Sequence, residues 1–231
     1  MKTPLLPLTK RGNEDGHVAL AHQLKLMDFR GIETAEEAGV LRFGEYTIEG
    51  CDEPTTLWGI GDPNPRQRVG EFRHLAGPWL QESDGSIFEG HRYGDLSHPI
   101  GADRIRLGHD VALVIGVENY LAACSFFWSC RNVSIAVMLE PVEIAAWATK
   151  LFPGRRVHLC DLGCPTDKPG YDLYRQQLAG ISSEVRTLLP TTEKFADGSP
   201  VLSLHDSSRA KWEAQRARFF ADIAEEKDLA I

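Results

Sequence analysis

Long apolar runs are the first thing missing from this chain. No segment approaches the roughly 18 residues that a membrane-spanning helix requires, so no membrane span is expected. Residues 1–8 are too short and too proline-broken to act as a signal peptide, which makes the cytoplasm the expected location. Excess positive charge is missing too. Lys and Arg number 25 against 33 Asp and Glu, for a net charge of −8. Bulk attraction to nucleic acid is thereby excluded, and any such binding needs a local basic patch. Cysteine is sparse: five residues, at 51, 124, 130, 160 and 164, odd in number and without a disulfide rhythm. Cys124, Cys130 and Cys160 lie in apolar segments, where a free thiol behaves as a small core residue. Cys160 and Cys164 have no second Cys/His pair at zinc spacing, so no zinc is expected. Gly-x-Ser-x-Gly and Cys–His arrangements are absent, which removes the usual signs of acyl transfer. Internal repeats and low-complexity tracts are absent as well.

What is present is a core-forming composition, 42% hydrophobic over 231 residues, enough for one large domain or two small ones. The informative stretch is 111–190. It holds short apolar runs at 112–117, 133–139, 156–160 and 185–189, separated by helical spacing at 118–130, 141–151 and 171–180. Strands apolar throughout, alternating with helices, predict a parallel sheet covered on both faces. Chemistry in such sheets collects beyond the carboxyl ends of the strands. Those ends carry Glu118 and Asn119 after the first run, and Asp161 to Asp167 after the third.

Ahead of this stretch the spacing predicts a helix over 19–29 and a short one over 34–38, with Thr34 as cap, Glu37 in capping-box position and Gly39 as stop. Strand-like pieces follow at 46–48, 56–60 and 71–75, with a turn at 62–65. Residues 80–109 read as polar and irregular. The resulting division is an N-terminal α+β subdomain over 1–108, an α/β domain over 109–190, and a linker and charged helix over 191–231. Within the last, 208–226 carries Trp212, Phe219, Phe220 and Ile223 on a narrow stripe, suited to packing back or to docking a protein partner.

Several of these segments resemble the catalytic core of bacterial- and phage-type DNA primases. Arg30-Gly-Ile-Glu-Thr-Ala-Glu-Glu-Ala38 looks like the helix that opens that core. The pieces from Leu57 to Asp62 and from Arg66 to Arg73 are similar to the strand pair that touches template. The run from Val111 to Ala123 resembles the first motif of the Toprim domain, and His158-Leu-Cys-Asp161 resembles the strand that carries its second, D-x-D. The order of elements matches from about 30 to 190.

The resemblance implies a Toprim-like parallel sheet, single-stranded DNA or another nucleic acid as partner, and Mg²⁺ or Mn²⁺ held on carboxylates for nucleotidyl transfer. It also implies a phage or other mobile element as a source. The chain departs from the motifs, however. Ile115 stands where the family has a glutamate, Asn119 falls at its second acidic position, and Gly163 falls on the second half of D-x-D. The acidic site that remains is Glu118, Asp161 and Asp167, as catalytic residues and as metal ligands. Glu118 is equally explained as a favourable charge at a helix N-terminus. Arg66, Arg68 and Arg73 are the candidate contacts to template phosphates, with Lys168 at a loop leading into a helix. Trp58, Phe72 and Trp79 either stack bases or fill the core. Two functions follow: a primase/Toprim-type nucleic-acid-processing protein with a weakened metal site, or a catalytically inactive scaffold or regulator that binds a protein or nucleic acid.

Overall fold

The structure, a computed structural model, describes residues 8, 11–24, 29–47, 52–63, 69–79, 87, 90–128, 130–160 and 167–188. Asp161, Arg66, Arg68 and the whole of the expected helix at 208–226 lie outside the described residues.

Two sheets organise the described residues. The first is antiparallel, with β1 (Leu41–Tyr46), β2 (Thr55–Gly61), β3 (Gly70–Ala76) and β4 (Gly90–Tyr93) in the order β1-β2-β3-β4. The second is parallel: β5 (Asp110–Ile115), β6 (Val133–Met138), β7 (Arg156–Cys160) and β8 (Glu184–Leu188), in the order β6-β5-β7-β8. The chain is therefore a mixed α/β protein with a four-strand parallel sheet.

Local chemistry accounts for most boundaries. Helix α1 (Glu14–Gln23) starts at Asn13, whose side chain accepts the amide of Gly16 at 2.8 Å, with Glu14 and Asp15 in the first turn. Helix α2 (Arg30–Glu37) buries Gly31, Ile32 and Ala35. It begins four residues ahead of the expected Thr34 cap, because packing of this face outweighs the cap signal. Helix α3 (Val117–Phe127) follows β5 directly, and α4 (Lys168–Leu178) precedes β8.

Alternation along β5 divides the core. Ala112 and Val114 face one cluster with α1, α2, α3 and residues of the antiparallel sheet such as Phe43 and Trp58. Val111, Leu113 and Ile115 face a second cluster with Phe152, Tyr171, Tyr174 and Leu178. Both faces of the parallel sheet are thus covered.

Two expectations are corrected. The helix expected over 141–151 is replaced by turns and a single 3-10 turn at Ala148–Leu151. There the Ile144 amide donates to the Gln177 side chain at 3.0 Å and the Ala145 amide to the Ser97 carbonyl at 3.0 Å, so tertiary partners take the bonds a helix would make. The stretch 80–109, read as irregular, contains β4 and a 3-10 turn at Ala102–Arg104.

Candidate functional site

Parallel strands β5 and β7 are neighbours, with Leu113 beside Leu159 in register, so their carboxyl ends open on the same side of the sheet. Gly116 makes the turn off β5 at φ 85, in the left-handed region that favours glycine, and α3 begins at the next residue. That turn carries Glu118 and Asn119 to the end of the strand. On the other side, the Tyr171 hydroxyl donates to the Cys160 carbonyl at 2.5 Å and accepts the Ile115 amide at 3.1 Å. One side chain of α4 therefore ties the tips of β5 and β7 together.

Asp167, the residue before α4, is brought by this seating onto Asn119. The Asn119 amide nitrogen donates to the Asp167 carboxylate at 3.0 Å and to the Ile115 carbonyl at 2.6 Å. Two sequence-selected positions, 119 and 167, meet through an amide. Burial first, and then the charge of Asp167, push the Tyr174 phenol well above its ordinary range, as expected for a phenol close to this carboxylate.

Glu118 faces the other way, toward the antiparallel sheet. It forms an ion pair with Arg73 of β3. The Arg73 guanidinium also donates to Glu71 at 2.5 Å and lies over the Trp58 ring, 5.8 Å from its centroid. Glu71 in turn accepts from Arg92 of β4 at 2.6 Å, and Arg92 donates to Glu140 at 2.8 Å, just beyond β6. The result is an alternating chain of three carboxylates and two guanidiniums, Glu118–Arg73–Glu71–Arg92–Glu140. It runs from the end of β5 across β3 and β4 to the end of β6. Burial alone works to lower the Arg73 pKa, but Glu118 and Glu71 outweigh it and leave the value raised, so the cation is secured.

Sequence reasoning placed Glu118 and Asp167 at the site and selected Arg73 only as a contact to template phosphates on a separate subdomain. It missed Glu71, Arg92 and Glu140. The only signal for Glu71 was its alternation with Arg73 on one strand, which puts both on the same face. Lys168 is exposed at the first position of α4. Trp58 and Phe72 belong to the core, whereas Trp79 is 54% exposed and stacks on His74 at 3.9 Å.

A hard divalent cation needs several convergent oxygen donors. Among the described residues, the Asp, Glu, His and Cys side chains form no group of three placed to hold one. The two carboxylates that stand here are each engaged by a donor, Glu118 by a guanidinium and Asp167 by an amide. Both are thus already engaged, while Asp161, the third expected ligand, lies outside the described residues. Compared with known protein families, curated proteins and solved structures, the chain matches none of them.

Proposed function

We propose that the chain is a Toprim-like, primase-type nucleic-acid-processing protein whose acidic site is degenerate, so that it acts by binding and not as a polymerising centre. The observation that carries this reading is the hydrogen bond from Asn119 to Asp167. Where two carboxylates would repel until a cation came between them, an amide donor joins the pair without one. The Ile115 side chain offers no oxygen ligand at the strand tip, and the ion pair with Arg73 neutralises Glu118. Under this reading Lys168, together with Arg66 and Arg68, supplies the contacts to a single-stranded phosphate backbone, with an affinity that falls as salt rises. Arg73 contributes little, because two carboxylates already balance it. The helix expected at 208–226 is the surface proposed for a protein partner.

Calorimetric titration with Mg²⁺ and Mn²⁺, beside a primer-synthesis assay on single-stranded DNA, tests the reading. Wild-type protein is expected to show no binding tighter than about 1 mM and no synthesis. The double variant Ile115→Glu, Asn119→Asp is expected to gain metal binding, since it adds two oxygen donors at the strand tip. Tight metal binding by the wild type, lost in Asp167→Ala and accompanied by primer synthesis, overturns the reading in favour of a metal-dependent nucleotidyltransferase. Failure to bind single-stranded DNA or RNA at low salt removes the nucleic-acid part and leaves the protein-binding scaffold.

A further inference from the structure

A cavity lies at the opposite end of the parallel sheet, where β6 begins, and it shares no residue with the Glu118 and Asp167 site. Its volume is about 570 Å³, within the range of roughly 300–1,000 Å³ typical of small-molecule sites. One face of α3 makes its floor, with Tyr120 and Phe127 buried and Trp128 48% exposed. Arg104, Arg106 and Arg131 make its wall, and all three are exposed. Among the described residues, none of these three guanidiniums takes part in a hydrogen bond or ion pair. The only carboxylate in the lining is Glu37, on α2. The guanidinium of Arg30 lies over the Trp128 ring at 4.8 Å and adds a fourth cation nearby.

Folding does not account for this arrangement. The chain carries a net charge of −8, yet here three arginines converge with one carboxylate among them. The excess positive charge of the lining is offset there by Glu37 alone. An anion relieves it, and arginine's planar fork suits the oxygens of a phosphate. A bare phosphate would leave the aromatic floor unused, because that floor favours a flat, weakly polar body. From this geometry we infer that the cavity binds a phosphorylated nucleoside. Its phosphate lies against Arg104, Arg106 and Arg131, and its base lies against Phe127 and Trp128. The same chemistry is offered by a free nucleotide and by the 5′-phosphorylated end of a strand. The inference stands on residues apart from the proposed function and does not depend on it.

The test is a titration of the full chain with five probes: a purine 5′-nucleotide, its nucleoside, inorganic phosphate, and short single-stranded DNA with and without a 5′-phosphate. The nucleotide, or the 5′-phosphorylated strand, is expected to bind tighter than about 1 mM, with nucleoside and inorganic phosphate at least about tenfold weaker. Binding by the free nucleotide identifies a mononucleotide site, whereas binding by the phosphorylated strand alone identifies a strand-end site. Arg104→Gln combined with Arg131→Gln, and separately Trp128→Ala, should each weaken binding at least about tenfold while the far-ultraviolet dichroism stays native. Because all these positions are exposed, Arg106→Gln serves as a substitute should either variant fail to fold. The inference is overturned if neither phosphorylated probe binds by about 1 mM, if inorganic phosphate binds as tightly as the nucleotide, or if binding survives the substitutions.

Discussion

Two thiols show how far burial alone sets chemistry in this chain. Cys124 and Cys160 are buried, and neither is in a disulfide. Burial drives the Cys124 thiol from its ordinary 9.0 up to about 12, despite an opposing hydrogen bond with Tyr120. It pushes Cys160 further in the same direction. Both stay protonated in the native state where the unfolded chain would ionise, so above the ordinary thiol value the native state binds more protons. Stability is then fully present below pH 9.0 and declines as pH rises toward about 12. The midpoint of urea unfolding should fall over that window, and replacing both cysteines with alanine should flatten the decline, whatever it does to stability at neutral pH. At pH 8, alkylation followed by peptide mass spectrometry should leave both residues unmodified until denaturant is added. Rapid native labelling of either one would show that its surroundings are open. Their core role was legible in the sequence, because each sits in an apolar segment. The contact between Asn119 and Asp167 was not legible, since it joins residues 48 positions apart and no local pattern reports it.

Among the elements, what was readable divides along the two sheets. Strands β5 to β7 stand out in the sequence because a parallel sheet covered on both faces demands mainly apolar residues. By contrast β8, at the sheet edge, carries Glu184, Arg186 and Thr187. The antiparallel strands are less distinct, and β1 was placed too late in the chain, since the charged residues Arg42 and Glu45 interrupt its apolar pattern. Helix α2 shows what a pattern of caps leaves out. It packs on α3 so closely that a Cβ added at Gly31 would run into the backbone carbonyl of Leu121 and crowd Ser125. Backbone cannot yield as a side-chain tip can. Gly31→Ala should therefore force the two helices apart and cost about 1–3 kcal/mol, the usual range for overpacking. An alanine normally strengthens a helix by up to about 1 kcal/mol over glycine, so the sign of the change separates the two effects. A chemical-denaturation midpoint that rises in Gly31→Ala would mean that α2 does not lie against α3 in this way.

At the scale of the whole molecule, the two sheets are joined by a shared apolar cluster and by the ion-pair chain from Glu118 to Glu140. The apolar cluster supplies adhesion without direction. The ion pairs supply register, because two guanidiniums must each meet two carboxylates drawn from different elements. Energy is spread unevenly along that chain. Glu71 is only 5% exposed and serves both arginines, so its loss leaves the half-buried Arg73 and the exposed Arg92 each short of a partner. Removing one member of a fully buried pair costs about 3–5 kcal/mol. Because Arg73 and Arg92 keep contact with water, about 2–3 kcal/mol is the expectation for Glu71→Gln, after allowance for screening. Glu118, at 38% side-chain exposure, is the contrasting end of the chain, and Glu118→Gln should cost no more than about 1 kcal/mol. Urea unfolding followed by both tryptophan fluorescence and far-ultraviolet dichroism measures the two costs. The same curves show whether the sheets part separately: with Trp58 and Val114 in one cluster, both probes should report a single transition in Glu71→Gln, moved to lower urea. Equal costs at Glu71 and Glu118 would mean that the junction is held by the apolar cluster alone and that the charged chain does not align the two sheets. Two resolved transitions would instead mean that the shared cluster does not couple them.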